Sequence, residues 1–330
     1  MNHFGRLFGI NIFGESHGSS VGILLDGVKP GIKLNEEDFA YDLKRRKSGG
    51  KGTTPRIEPD EIIIESGVFN GYTTGAPILL RFLNTNIKSK DYSNLVSHPR
   101  PSHADYVANI KYDGFNDYRG GGHFSARLTL GIVAAGVVAK KMMPEVSFET
   151  KIVNLGGQTK EELFDEVLNN TIKEHDSVGG IVEIKIKNVK KGLGEPYFDS
   201  LESTISHLLF SIGGVKGVEF GLGFELAKLK GSEYNDLIID KEGHTKTNNN
   251  GGINGGISNG NDIIIKVAVK PTPSISKAQQ TYNFKEDMVS ELVIEGRHDA
   301  AIILRAQVVL ENACAIALAD AMLIANAYKN

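Results

Sequence analysis

The stretch Ala300-Ala-Ile-Ile-Leu-Arg305-Ala-Gln-Val-Val-Leu-Glu311-Asn-Ala-Cys-Ala-Ile-Ala-Leu-Ala-Asp320-Ala-Met-Leu-Ile-Ala-Asn-Ala-Tyr328 decides how the rest of the chain must be arranged. It is the longest apolar tract, yet Arg305, Glu311 and Asp320 interrupt it. A lipid-facing helix does not tolerate such charges readily, so the tract predicts a helix buried inside protein. Cys314 lies in its middle and reads as a small core residue. A second segment, Ala126 to Met143, is rich in Ala, Val, Gly and Leu and small enough for close helix packing. Leu201 to Ile212 predicts a third helix, Thr159 to Asp176 an amphipathic, more exposed one. Asn35 caps another, whose acidic first turn and basic Lys44-Arg45-Arg46-Lys47 end suit the helix dipole.

Around these lie short β-branched runs bounded by Gly, Pro or Asn: Leu7 to Phe13, Val21 to Asp26, Glu61 to Phe69, Ile78 to Leu83, Gly180 to Ile186, Val218 to Leu222 and Asp262 to Val269. Their short connections predict mostly antiparallel sheets. The expected fold is α+β, with buried helices sandwiched between antiparallel β-sheets. No break in composition divides the chain, so residues 1–330 read as one domain. With 40% hydrophobic residues and a net charge of −3, nothing global attracts nucleic acid or an anionic membrane, and any anion site must be a local cluster. One cysteine excludes a disulfide framework and fits a reducing cytosol. The N-terminus lacks the blocks of a signal peptide. No histidines stand at metal-ligand spacing, so no metal site is expected. The 38 glycines gather in runs such as Gly120-Gly121-Gly122 and Gly255-Gly256, where backbone can approach a ligand. The polar loop Gly243 to Asn261 is either a disordered surface tract or a ligand loop.

Several motifs could carry chemistry. Gly14-Glu-Ser16-His17-Gly18 follows a strand and fits the G-x-S-x-G nucleophile elbow, with Ser16 as the nucleophile of a serine hydrolase. The following residues read as a strand, whereas an elbow requires a helix, so a plain turn is the alternative. A histidine in such a turn can also act as a general acid. His98-Pro-Arg100-Pro-Ser-His103-Ala-Asp105 is stiffened by two prolines, and Asp105 could orient an imidazole. Arg119-Gly-Gly-Gly-His123-Phe124-Ser125-Ala-Arg127 leads into the small-residue helix and offers backbone amides and a guanidinium to an anion. Lys270-Pro271-Thr272-Pro273-Ser274 supplies a cation and hydroxyls on fixed backbone. Arg297-His298-Asp299 precedes the long helix, where Asp299 is either the N-cap or a base facing a pocket. Arg45, Arg46, Lys51 and Arg56 form the remaining basic group, of which Arg45-Arg46 has the simple reading of complementing the helix dipole.

Taken in order, these stretches resemble chorismate synthase over nearly the whole chain. Besides the motifs above, the match includes Asp26-Gly-Val-Lys-Pro-Gly31, Ser66-Gly-Val-Phe69 with Thr73-Thr-Gly-Ala-Pro77, Val215-Lys-Gly-Val-Glu-Phe-Gly221 and Asn249-Asn-Gly-Gly252. The resemblance implies a 1,4-anti elimination of phosphate and the C6 hydrogen from 5-enolpyruvylshikimate 3-phosphate, giving chorismate for aromatic amino-acid synthesis. It implies reduced FMN without net redox change, with an external reductant because no dinucleotide fingerprint appears. It further implies a cytoplasmic homotetramer. A flavin-binding module without catalysis is the other alternative.

By the same resemblance His17 protonates the departing phosphate, His103 protonates or polarises the flavin, and Asp299 acts with flavin N5 to remove the C6 proton. Ser16, Arg46, Arg100, Arg127 and Arg297 hold the substrate. His123, Phe124, Ser125, Gly255, Lys270, Pro271, Thr272, Pro273, Ser274 and Arg297 contact the flavin, and Arg46 and Lys51 are possible contacts to NADP or another anion. The chain departs from the common family pattern at His123-Phe124, where Arg-Ser is frequent, at Lys51, where arginine is usual, and at Gly213-Gly214. A lysine cannot reproduce a bidentate fork.

Overall fold

A computed structural model describes residues 2–54, 59–85, 94–294 and 298–328. In chain order the elements are β1 (His3–Phe4), β2 (Gly9–Gly14), β3 (Ser20–Asp26), α1 (Ala40–Arg46), β4 (Ile62–Ile64), β5 (Val68–Phe69), β6 (Tyr72–Thr73), β7 (Ile78–Leu83), α2 (Asp105–Lys111) and α3 (Thr129–Met142). There follow β8 (Ser147–Leu155), α4 (Phe164–Lys173), β9 (Gly180–Lys187), α5 (Leu201–Ser211), β10 (Val215–Phe220), α6 (Gly231–Tyr234), β11 (Ile253–Asn254), β12 (Ile257–Ser258), β13 (Ile263–Val269), β14 (Gln279–Asn283), β15 (Met288–Leu292) and α7 (Ile303–Ala327).

Two antiparallel sheets hold the helices between them. One runs β1-β2-β3-β7-β4 and lies on α3; the other runs β10-β13-β9-β8 and lies on α5 and α7. Alternation sets which face looks inward. Val21, Ile23 and Leu25 of β3, Ile78, Leu80 and Phe82 of β7, Val182, Ile184 and Ile186 of β9 and Ile263, Ile265 and Val267 of β13 are all buried. The expected sandwich is therefore the fold. Helices α3 and α7 touch where Gly136 faces Asn312: a Cβ on Gly136 would fall 2.2 Å from that side chain. Small residues in α3 serve this close approach.

The charges inside α7 each have a built-in partner. Asp320 accepts the backbone N–H groups of Arg6, Leu7 and Phe8 at 2.8–3.1 Å, tying the chain's start to the buried helix. Glu311 accepts both Arg45 nitrogens at 2.9 and 2.6 Å and Lys140 Nζ at 2.6 Å, while Asp42 takes Lys140 from the other side at 2.7 Å. Glu311, followed by burial working the other way, holds the Arg45 guanidinium above its ordinary value. Arg45 thus does more than complement a dipole; it neutralises a buried carboxylate.

Most differences from the sequence reading are at edges. Strand β8 was not expected, because Ser147, Glu149 and Lys151 alternate outward along a sheet edge and dilute its apolar pattern. The expected strand Glu61 to Phe69 divides into β4 and β5 around Gly67, whose φ is +81°. The tract Gly243 to Asn261 is ordered: the Asp236 carboxylate accepts Asn249 N, Asn250 N, Asn250 Nδ2 and Thr247 Oγ1. Helix α7 begins at Ile303 with Ile302 as its N-cap, so Asp299 is not the cap.

Candidate active site

Strands β2 and β3 form a hairpin whose turn carries Ser16 and His17, both buried. Gly14 pairs with Val21 across the two strands. No helix follows the turn, and the nucleophile-elbow reading of Ser16 is overturned, because that geometry needs strand–turn–helix. Asn84, just after β7, clamps the turn: its Nδ2 donates to Glu15 O at 3.0 Å and Gly18 O at 2.8 Å.

The glycine run Gly120-Gly121-Gly122 lies against this turn. All three residues have positive φ, at +59°, +80° and +53°. Ser16 N donates to Gly122 O at 3.1 Å. A Cβ on Gly120 would stand 2.6 Å from His17 Nε2 and 2.9 Å from Ser16 Oγ, whereas one on Gly121 would stand 3.7 Å from His103 Cε1. Adjacent glycines therefore face the two histidines singled out in the sequence, and the run separates the imidazoles by little more than backbone. At Gly120 a side chain has no room unless the His17 ring moves.

His103 is held from behind. Its Nδ1 lies 2.6 Å from Asp105 Oδ1, 3.0 Å from Arg100 Nη2 and 3.2 Å from Asp105 N, so that edge of the ring is fixed and Nε2 points away from it. Arg100 grips the same carboxylate from Nε at 2.7 Å and Nη2 at 2.8 Å, and donates from Nη1 to Ser274 Oγ at 2.9 Å. Burial opposes ionisation of Asp105, but the hydrogen bonds from Arg100 and His103 outweigh it and hold the carboxyl well below the usual range. Lys270 Nζ donates to Ser102 O at 2.6 Å, and burial, then the charge of Lys216, lower its pKa. A narrow cleft beside His103 is lined by Asp105, Tyr118, Gly121 and the half-exposed Phe124.

A second cluster begins at Asp299, whose Oδ1 accepts Thr54 N at 2.8 Å and whose Oδ2 lies 3.2 Å from Arg305 Nη1. Arg305 Nε donates to Arg46 O at 2.9 Å. Arg46 is buried, donating to Thr129 Oγ1 and Ala126 O, with Asp60 Oδ2 at 3.5 Å. Asp60 Oδ1 accepts Arg127 Nη1 at 2.8 Å, and Arg127 Nε donates to Asn84 Oδ1. Burial, reinforced by Arg305 and Arg127, pushes Arg46 down to about 9. Asn84 links this cluster to the His17 turn. His298 joins it to the other side: burial, then the Arg100 cation, lower its pKa, while Asp299 acts in the opposite sense.

Not every expected residue joins these clusters. His123 is bonded to Gly14 O at 2.8 Å and Asn2 Oδ1 at 3.1 Å, and Ser125 caps the turn before α3 by accepting Arg127 N. Pro271 and Pro273 flank Thr272, whose carbonyl accepts Ser177 Oγ at 2.7 Å. Gly255 forms the exposed turn between β11 and β12, and Lys51 makes an exposed ion pair with Asp165 at 3.2 Å. Arg297 and Arg56 lie outside the described residues. Sequence reading missed Asp60, Asn84, Thr54 and Arg305; no motif contains them, and only Arg305, a cation within an apolar tract, gave a signal. A cleft of about 690 Å³ lies elsewhere, over the Arg45–Glu311–Lys140 network whose charges neutralise one another.

The chorismate synthase family model matches residues 8–323. A chorismate synthase of Chitinophaga pinensis is 55% identical over 325 residues, covering 98% of this chain and 97% of that protein. One from Pyrococcus abyssi is 44% identical, covering 97% of each. A crystal structure of chorismate synthase superposes with a TM-score of 0.74 at 28% identity, covering 97% of this chain and 92% of the other.

Proposed function

The chain belongs to the chorismate synthase family and is a chorismate-forming lyase, and on that premise we propose how its own residues divide the reaction. The substrate is 5-enolpyruvylshikimate 3-phosphate, which loses phosphate and a C6 hydrogen by 1,4-anti elimination. Two carboxylates and a phosphate need cations, and two guanidiniums, Arg46 and Arg127, share the single carboxylate of Asp60. That excess of positive charge, which also lowers Arg46, is relieved when a polyanion binds. Arg297 belongs to the same anion-holding set by family pattern. Arg100, already engaged by Asp105 and Ser274, acts through His103 as well as by its charge.

His17, with Ser16 beside it, donates a proton to the departing phosphate oxygen. The C6–H bond breaks towards the Asp299 carboxylate, its electron pair enters the new conjugated diene, and the C–O pair leaves with phosphate. His103, with Nδ1 fixed on Asp105, presents Nε2 as donor or acceptor to the cofactor. Reduced FMN is that cofactor, and what it supplies when bound is transient electron density to the breaking C–O bond. The residues suit such a group. Thr272 Oγ1 is buried without a hydrogen-bond partner among the described residues, Lys270 stands near Lys216, and the aromatic side chains of Phe124 and Tyr118 line the cleft beside His103. Lys270, Thr272, Ser274 and Phe124 would hold it, with Ser125 and Gly255 as backbone neighbours. His123, expected beside the flavin, is also bonded to Gly14 O and so anchors the glycine run.

The same reading makes residues 1–330 one domain working as a cytoplasmic homotetramer supplied with electrons by an external reductant. Exposed Tyr106, Val107, Ile110, Phe284, Met288 and Val289 support association. The observation that carries the proposal is the pair of glycines facing His17 and His103. Anaerobic phosphate release from 5-enolpyruvylshikimate 3-phosphate should require reduced FMN and fall by orders of magnitude in His17→Ala, His103→Ala and Asp299→Ala. Full turnover in all three variants, or turnover without flavin, refutes these roles.

A further inference from the structure

Arg305 is an odd residue for its place. It stands in the first turn of α7, where the positive end of the helix dipole disfavours a cation. It is largely buried, and its charge bears on a second buried cation, Arg46. An apolar side chain would avoid the desolvation that burying a charge costs. Its contacts explain what is gained instead. Nε donates to the carbonyl of Arg46, the last residue of α1, and Nη1 spans the two oxygens of Asp299 at 3.4 and 3.2 Å. The other side of that carboxylate is fixed by Thr54 N on Oδ1 at 2.8 Å, in the segment after α1 that also receives Ala301 N through Gly52 O.

We propose that Arg305 is the positioning residue for the C6 proton abstraction: it fixes the plane of the Asp299 carboxylate relative to Arg46, so that Oδ2 faces the substrate hydrogen. This rests on the role given to Asp299 above. Thr54 takes up Oδ1, and the longer contact to Arg305 leaves lone-pair capacity on Oδ2. Arg305 itself gains no proton and acts only through the carboxylate it holds. Without it the carboxylate can turn about its bond to Cβ, and the proton transfer is slowed while the anion-holding arginines stay in place.

The experiment compares Arg305→Met, Arg305→Lys and Asp299→Asn, using substrate carrying deuterium in place of the C6 hydrogen that is lost. For Arg305→Met, kcat should fall about 100-fold, the loss typical of misplacing a catalytic group by roughly 1 Å. KM should change less than about threefold, and the deuterium effect on kcat should rise above that of the unmodified enzyme because C–H cleavage becomes limiting. Arg305→Lys, which keeps the charge but not the two-point grip, should recover part of kcat and show an intermediate isotope effect. A fall in kcat with no change in the isotope effect, or a loss confined to KM, overturns the inference. Should Arg305→Met fail to fold, the isotope effect of Arg305→Lys decides by the same criterion. Retained turnover in Asp299→Asn refutes the base itself; an inactive Asp299→Asn beside an unchanged isotope effect in both Arg305 variants refutes only the positioning role.

Discussion

Gly120→Ala tests the site at its narrowest point. The new Cβ would lie 2.6 Å from two atoms of the His17 ring and 2.9 Å from Ser16 Oγ. Ordinary carbon contacts need about 3.5 Å, so the ring must retreat by roughly 0.9 Å or turn. His17 is 5% exposed and Ser16 3%, and neither can swing into solvent. Displacement of this size at a reacting group costs about 100-fold in rate. The backbone adds its own strain, because φ is +59° and a left-handed conformation costs a non-glycine residue about 1–2 kcal/mol. Gly121→Ala separates the two effects. Its φ is +80°, so it carries similar strain, but its Cβ would stand 3.7 Å from His103, in ordinary contact. Anaerobic turnover at saturating reduced FMN and substrate should therefore fall about 100-fold in Gly120→Ala and far less in Gly121→Ala, with the larger loss of stability in Gly120→Ala, which adds overpacking to the strain both share. Equal activity losses in both, or a Gly120→Ala enzyme within threefold of the unmodified one, would refute the argument that His17 is held by this contact.

Three further outcomes follow from the packing. Glu311→Gln leaves Arg45 and Lys140 sharing Asp42 alone, and breaking a buried pair costs about 3–5 kcal/mol; an unfolding free energy from urea titration within about 1 kcal/mol of the unmodified protein would contradict this. Asp320→Ala removes the acceptor of three N–H groups, of which Phe8 N is beyond the reach of water, so about 1–3 kcal/mol should be lost in the same titration. His298, lowered by burial and Arg100, stays neutral in the folded chain where the unfolded chain takes up a proton below its ordinary 6.5. The unfolded state then binds more protons, so stability declines as pH falls below 6.5, with a limiting slope of about 1.4 kcal/mol per pH unit from this group. Denaturation profiles of His298→Gln should lack that contribution, and identical pH dependence in both proteins would exclude it.

The buried helices were legible because the charges in α7 made a lipid-facing span costly, and because the small residues of α3 had one good use, close packing. Each charge then proved to have a partner far away in sequence: Asp320 at residues 6–8, Glu311 at Arg45 and Lys140, Arg305 at Arg46. The partners themselves could not be read. Arg45 and Arg46 are neighbours that suit a helix end equally well, yet one neutralises Glu311 and the other points towards Asp60. Side-chain direction on a helix, about 100° apart for adjacent residues, separates their destinations, and the identity of what lies in each direction depends on tertiary packing. Strand β8 escaped notice for a related reason, since an edge strand with charged outward positions lacks the apolar density that marks the central strands.

The site was legible only where its chemistry is local. His103 and Asp105 are two residues apart, and Asp105 does orient the imidazole at 2.6 Å. His17 and Gly120 are more than a hundred residues apart, and nothing in either motif says that they meet. What brings them together is the demand each places on backbone: the hairpin turn lets Ser16 donate to Gly122 O, and three consecutive positive φ values let the glycine run pass between two imidazoles. A glycine run in sequence advertises freedom of conformation without saying what that freedom serves. Here it serves proximity, with a single backbone segment facing one histidine from Gly120 and the other from Gly121. The spacing between the proposed acid at the leaving phosphate and the proposed cofactor contact is thus fixed by main chain, so the two functions cannot be moved independently by changing side chains elsewhere.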